Sequence, residues 1–323
     1  MSDKKIIAVL GSTGSQGGGL VRAILDDPDG PFAVRAITRN AGSAKAQEYA
    51  ARGAEVVEAD LDDEASVKAA FDGAYGAYIV TNFWDQLTPE EEAVRTRSQR
   101  EKEQARNAAR AAKAAGLRHV VWSTLEDTRP HFEHLGSELP DLEHGYKVPH
   151  FDVKGEANAY FLELGVPTTF LETTFYYESF LQGQGPRRDQ NGRLTLTLPM
   201  GGSVFAMVAS EDIGRTAYGI FQAGPRFIGR TVGLAGAHAT GDELAELFGK
   251  VLGEKVVYAP ITHDQMRAAD WALAKEIGNM FQFYTEAADT FIGNRDLDLV
   301  RSINPRLKPL DEWLAEHRDE LVG

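Results

Sequence analysis

The sequence predicts an α/β fold: a doubly wound parallel sheet (Rossmann) over residues 1–170, joined to a smaller C-terminal α+β region over residues 171–323. Three observations predict it. An apolar run, Ile6–Leu10, leads straight into Gly11, Gly14 and Gly17 at G-x-x-G-x-x-G spacing. Strand and helix patterns then alternate through the first half, which implies right-handed βαβ units and a parallel sheet. Past residue 171 that rhythm stops and alternating, one-faced strand patterns mix with short helices.

The opening strand is short, apolar and bounded by glycine, as a buried parallel strand should be. The glycines let the backbone turn sharply and approach a pyrophosphate, and the helix that follows aims its N-terminal amides and positive dipole end at that anion. Gly17, Gly18 and Gly19 at a helix start cost about 1 kcal/mol each against alanine, which close backbone approach would offset. The candidate contacts are Gly11, Ser12, Thr13, Gly14, Ser15, Gln16 and Gly17.

The first helix is read at 17–25, the second strand at 33–38, a helix at 43–52 and the third strand at 54–59. A helix at 62–71 and a fourth strand at 77–80 follow. Residues 89–115 read as one long polar helix whose charges form a solvated face. The fifth strand is 119–123, a helix spans 151–164, and the sixth strand is 167–171. Residues 128–149 are polar, contain three prolines and carry His131, His134 and His144, with His150 adjacent; they read as a mobile surface loop. His131 and His134 have H-x-x-H spacing but no third ligand at a diagnostic distance, so no metal site is read there.

In the second half, 192–199 alternates like an antiparallel strand, and 210–221 reads as a helix with Ser210 as N-cap and Glu211 and Asp212 in its first turn. Thr240–Glu243 is a capping box. Helices are read at 271–286 and 311–321, with Trp271, Phe281, Phe283 and Trp313 as core residues. With no linker or repeat in view, the two regions are expected to share one continuous body.

The chain has 323 residues and a net charge of −14, which argues against holding a nucleic-acid backbone directly. It has no cysteine, so disulfides and thiolate catalysis are excluded. No apolar run approaches the ~20 residues of a membrane span. No signal peptide precedes the first strand, and a cytoplasmic soluble protein is the simple expectation.

Cofactor choice is read at the end of the second strand. A carboxylate there would bind both ribose hydroxyls of NAD, whereas an arginine pairs with the 2′-phosphate of NADP. This chain has Thr38-Arg39-Asn40 and no acid, so Arg39 points to NADP(H), with Lys45 as a second positive charge. Asp60 is placed to meet the adenine edge, and Thr81, Asn82 and Phe83 lie where the backbone passes the pyrophosphate and nicotinamide ribose.

The segments V-L-G-S-T-G-S-Q-G-G, I-T-R-N, A-D-L-D-D, V-T-N-F-W, H-F-D-V-K-G-E and F-Y-Y-E-S-F, with R-x-x-N-P-x-x-x-x-L-D-E-W-L near the C-terminus, resemble the NmrA-like proteins. These are atypical members of the short-chain dehydrogenase/reductase superfamily that include fungal nitrogen regulators and animal NADPH sensors. The resemblance implies NADP(H) contacts at Gly11–Gln16, Arg39, Asp60, Thr81–Phe83, Lys154 and Tyr176, Tyr177, Glu178 and Ser179. The family's basic residue in the helix after the fourth strand falls near Lys102 or Glu103 and is not assigned.

Short-chain reductases place a general-acid tyrosine four residues before a ribose-binding lysine, on one helix face. No lysine here has a tyrosine at that spacing; Lys154 has His150. Ser123 matches the superfamily's catalytic serine. Lys154, His150 and Ser123 are therefore the candidate chemical residues, with His150 read first as structural. The resemblance implies an NADP(H)-responsive sensor that meets a regulatory protein partner. The alternative is an NADPH-dependent reductase of a small carbonyl, quinone or imine using Lys154 or His150. The role of 128–150 and the oligomeric state are left open.

Overall fold

The computed structural model describes residues 4–140 and 142–321. Six strands, β1 (Lys5–Val9), β2 (Phe32–Thr38), β3 (Glu55–Glu58), β4 (Gly76–Ile79), β5 (His119–Thr124) and β6 (Thr168–Glu172), lie parallel in the order β6-β5-β4-β1-β2-β3. A seventh strand, Thr231–Gly233, adds to the edge beside β6. It is too short and too glycine-rich for the sequence to reveal. Strand order reverses between β1 and β4, where Val9 sits in register with both Ala36 and Tyr78. Ligands of open parallel sheets bind at the carboxyl edge of such a reversal. The doubly wound sheet expected from the sequence is therefore present.

In chain order the α-helices as far as Gln222 are α1 (Ser15–Leu25), α2 (Ala44–Ala51), α3 (Glu64–Phe71), α4 (Pro89–Val94), α5 (Arg97–Ala114), α6 (Arg129–Leu135), α7 (Pro149–Glu163) and α8 (Ser210–Gln222). On one sheet face, Ala8, Ile79, Val120 and Trp122 pack with Val67 and Phe71 of α3, an alanine stripe of α5, and Ala157 and Phe161 of α7. In α5 the stripe is Ala105, Ala108, Ala109 and Ala112. Small residues at this helical spacing let the helix lie close against the strands. On the other face Phe221 of α8 meets Phe32 and His119 edge-on.

The single helix expected at 89–115 is two. Thr88 and Thr96 each accept from the backbone N–H three residues on, while Glu91 and Gln99 return the bond. Two capping boxes eight residues apart start two helices, and Arg95, in an extended conformation, separates them.

Contacts group the residues into two units. The first comprises Met1–Asp127, Val153–Glu172 and Glu211–Val232; the second comprises Thr128–Asp152, Thr173–Ser210 and Gly233–Gly323. The second unit holds two three-stranded sheets. In one, Phe205–Val208 pairs parallel with Phe175–Tyr176 and antiparallel with Ala237–Ala239. In the other, Leu194–Leu196 pairs antiparallel with Arg187–Arg188 and parallel with Val256–Tyr258. Phe175, Phe205, Phe281 and Tyr284 form an aromatic core with neighbouring ring centroids 4.8–6.1 Å apart. Phe281, Phe283 and Trp313 are buried, but Trp271 is exposed and precedes its helix, which begins at Ala274. The capping box at Thr240–Glu243 is present as read. Among the described residues no helix is long and apolar enough to cross a membrane.

Candidate functional site

Gly11 turns the chain out of β1 with φ +65°. Gly14 is the N-cap of α1 and offers no side-chain cap to its first amides. A helix start left this way favours an anion. A Cβ on Gly17 would lie 2.4 Å from the Gly11 carbonyl oxygen, so the turn closes only around glycine there. Ser12 is fully buried, and its hydroxyl donates to the Ile37 carbonyl of β2 at 2.8 Å. Its role is to fasten the turn to the sheet. Thr13 is half-buried and Ser15 exposed.

The glycine triplet has a second cause. A Cβ on Gly19 would lie 2.4 Å from the Glu211 carbonyl oxygen, and one on Gly214 would lie 2.2 Å from the Leu20 nitrogen. Gly19 and Gly214 thus allow α1 and α8 to cross almost backbone to backbone. The close backbone approach expected to offset the cost of the triplet is, at Gly19, an approach between two helices.

Gln16 gathers the strand ends. Its Oε1 accepts from Tyr78 Oη at 2.6 Å and from Ser123 Oγ at 2.7 Å. Ser123 therefore lies at the end of β5 beside the glycine turn, with its hydroxyl proton held by Gln16.

Lys154 is anchored by its own helix. Thr124 Oγ1 shares its one proton between the Lys154 carbonyl at 3.0 Å and Asn158 Oδ1 at 2.8 Å, and Trp122 Nε1 donates to the same Asn158 oxygen. A Cβ on Gly155 would meet the Asp127 backbone at 2.4 Å, so α7 seats against that loop. The Lys154 ammonium donates to Glu101 Oε1 at 2.8 Å, to Thr81 Oγ1 at 2.8 Å and to the Thr81 carbonyl at 3.1 Å. The Thr81 hydroxyl donates its own hydrogen bond to Glu101 Oε1 at 2.6 Å. An ammonium has three protons, and each has a protein acceptor here.

Sequence reading missed Glu101, having assigned the charges of this region to a solvated face. The signal was available. Glu101 precedes Ala105, Ala108 and Ala112 at helical spacing, so it continues the buried alanine stripe by one turn. It is 2% exposed.

Arg39 reaches from the end of β2 and donates from Nη1 to Asp85 Oδ2 at 2.8 Å, with 60% of its side chain exposed. Asp85 also takes Arg100 at 3.2 Å. The hydrogen bond that Arg39 donates to Asp85 raises the Arg39 pKa against the opposing effect of burial. Burial would raise the Asp85 carboxyl, but the bonds from Arg39 and Arg100 hold it below its usual range. Asp60 accepts from the Asp62 amide at 2.9 Å, turning the chain after β3. Burial, with the Arg22 guanidinium nearby, lowers the Lys45 pKa. Asn82 Oδ1 accepts from the Trp84 amide, while Phe83 is buried and meets Trp84 edge-on.

The remaining candidates belong to the second unit. His150 Nδ1 lies 2.5 Å from Glu276 Oε1, which also accepts the His150 backbone N–H at 3.0 Å. Both side chains are buried. Tyr176 ends a short strand; Tyr177 is buried against Trp313; Ser179 lies in the same 3₁₀ turn. The Glu178 carboxylate accepts from the Ser210 amide at 3.1 Å and from its hydroxyl at 2.7 Å. Ser210 is thus bound by a distant acid where the sequence suggested an N-cap.

Segment 128–149 is also corrected from a loop without structure of its own. It contains α6 and a short 3₁₀ turn, Glu143–Gly145, and buries Phe132, Tyr146 and Val148. Fully buried Asp152 ties its ends. One carboxylate oxygen takes the Thr128 amide and hydroxyl at 2.8 and 2.6 Å; the other takes the Lys147 and Val148 amides at 2.8 and 2.9 Å. Among the described residues no cluster of three or more His, Cys, Asp or Glu could hold a metal ion.

A parallel sheet reversing at β1/β4, a glycine turn into an uncapped helix and a buried lysine at the carboxyl edge define a Rossmann-type protein. The NmrA-like family profile matches residues 3–314, and the chain belongs to that family. It is 32% identical over 268 residues to the NmrA-like family domain-containing oxidoreductase malD of Malbranchea aurantiaca, covering 79% of this chain and 75% of the relative. Among solved structures it superposes with TM-score 0.74 and 21% identity on NmrA, a negative transcriptional regulator, in complex with NADP, covering 98% of this chain and 95% of that one. It also superposes with TM-score 0.71 and 20% identity on the Citrobacter sp. triphenylmethane reductase complexed with NADP(H), covering 97% and 99%.

Proposed function

We propose that this chain binds NADP(H) and acts as a redox-cofactor sensor. The uncapped start of α1 around Gly14–Gln16 would take the pyrophosphate, Arg39 the 2′-phosphate, Asp60 the adenine edge, and Lys154 the nicotinamide ribose. Thr81, Asn82, Phe83 and Tyr176–Ser179 are the further proposed contacts. The residues present suit such a group: the turn closes only around glycine at Gly17, and Lys154 is held with its charge compensated by Glu101.

The observation that carries the sensor reading is the commitment of His150. It occupies the position four residues before Lys154, where a reductase of this superfamily needs a proton donor. Its imidazole and its backbone amide both bond to one buried oxygen of Glu276. The shared oxygen ties the ring to the first turn of α7, and with its side chain only 8% exposed the ring is held as a helix-start anchor. A sensor must bind the oxidised and reduced forms with different free energies, because equal binding shifts no equilibrium. Its regulatory target would be another protein met through an acidic surface.

The malD relative, named an oxidoreductase, favours a second reading: reduction of a small carbonyl, quinone or imine. The bound reduced nicotinamide would supply hydride. This chain would supply the proton from Lys154 Nζ or the His150 imidazole and orient the substrate oxygen or nitrogen at Ser123.

The test titrates the folded protein with NADPH and NADP⁺, then follows nicotinamide absorbance with a panel of quinones, aldehydes and imines. Micromolar binding of the phosphorylated cofactors without turnover supports the sensor. Turnover lost in a folded Lys154→Ala variant establishes the reductase. No heat with either form overturns both.

A further inference from the structure

We infer that Glu101 sets the balance between oxidised and reduced cofactor in this site, by cancelling the charge of Lys154; the inference rests on the proposed placement of Lys154 beside the nicotinamide ribose. The two dinucleotide forms carry the same phosphates. They differ in the ring, which is cationic in NADP⁺ and neutral in NADPH. Any fixed charge near the ring therefore acts on one form only.

The structure supplies two opposed charges there, 2.8 Å apart, with side chains 11% exposed for Lys154 and 1% for Glu101. Charges so little exposed are weakly screened. As a pair they present the ring with almost no net charge. With Glu101 neutral, Lys154 would stand as a buried cation and repel the oxidised ring alone.

A second observation separates charge from bonding. Glu101 uses Oε1 for both Lys154 and Thr81, while Oε2 is buried and has no hydrogen-bond partner among the described residues. A buried carboxylate kept only for its bonds would satisfy both oxygens. A glutamine carbonyl would accept the same two bonds at Oε1. What glutamine cannot supply is the negative charge, so that is the property the site retains.

The experiment measures dissociation constants of NADP⁺ and NADPH by calorimetry for the full chain, Glu101→Gln, Lys154→Met and the double variant. Glu101→Gln is expected to weaken NADP⁺ relative to NADPH by roughly tenfold. Lys154→Met shifts the ratio the opposite way, and the double variant returns close to the parent ratio. Equal weakening of both forms in Glu101→Gln would show a merely structural role and overturn the inference. Should Glu101→Gln not fold by circular dichroism, Lys154→Met decides: an unchanged ratio there overturns it. A parent chain that binds both forms at an unaltered ratio in every variant refutes this inference alone. A parent chain that binds neither form removes the proposed function with it.

Discussion

Arg39 Nη1 and Asp85 Oδ2 are 2.8 Å apart at the open end of β2, so the guanidinium proposed for a 2′-phosphate already has an anionic partner. A phosphate must compete with Asp85, which is held in place by Arg100 as well. Two opposite predictions follow from one contact. Arg39→Ala should weaken NADP(H) by tenfold or more, the scale of a lost charge-assisted bond, and leave NAD(H) nearly unchanged. Asp85→Asn should free Arg39 and tighten NADP(H) severalfold, again with little effect on NAD(H). Calorimetry at fixed ionic strength with all four dinucleotides checks both, because the contact is exposed and salt-screened. Equal effects on phosphorylated and unphosphorylated cofactors would remove Arg39 from the site.

The glycines near the start of α1 should separate by function. Gly19→Ala and Gly214→Ala each force a methyl group into the backbone of the partner helix. Each should cost roughly 1–3 kcal/mol of stability, read as a lower denaturation midpoint, while the folded fraction keeps its cofactor affinity. Gly17→Ala strikes the Gly11 carbonyl instead. It should cost affinity for every dinucleotide, phosphorylated or not. A Gly19→Ala variant that melts normally but cannot bind would reverse the two assignments.

What the sequence reveals follows physical rules that can be stated residue by residue. The six parallel strands are legible because each is short, carries an apolar pair or run and stands near turn residues. The seventh, Thr231–Gly233, has a single apolar side chain, Val232, and depends on β6 for its partner. Thr240 and Glu243 are read correctly because a capping box is local. Ser210 is misread because its partner, Glu178, lies 32 residues away. Glu101 is missed for a different reason. A charged residue in a charged helix looks solvated until the alanine stripe below it is counted as a buried face. His150 and Lys154 are readable as a pair by spacing, but Glu276, 126 residues on, is a tertiary fact.

His119 makes the first unit sensitive to acid. It lies on β5 with no exposed surface; Nε2 sits 2.9 Å from Thr169 Oγ1, and Nδ1 has no hydrogen-bond partner among the described residues. Burial lowers its pKa from 6.5 to about 4. The fold thus holds the neutral ring, while the unfolded chain takes up the proton first. The contribution is complete above pH 6.5 and is lost as the pH falls through about 4, to a total of roughly 3 kcal/mol. Denaturant unfolding of the parent and of His119→Asn at pH 7 and pH 4 checks the sign. The variant should lose less stability between the two, whatever its stability at pH 7.

Asp152 should control the segment that the sequence presents as a loose loop. Its two oxygens receive four hydrogen bonds, two from Thr128 and two from the amides of Lys147 and Val148, and the carboxylate is fully buried. Removing it takes this acceptor away from three amides and a hydroxyl. Bonds to a charged acceptor are worth about 1.5–3 kcal/mol each in isolation, but they share one carboxylate and do not add. Asp152→Ala should therefore cost roughly 3 kcal/mol and, more diagnostically, open 128–148 to proteolysis. Asp152→Asn keeps one acceptor oxygen and should fall between. If a protease cuts the parent and Asp152→Ala at equal rates within 128–148, α6 and the buried Phe132 hold the segment without the aspartate.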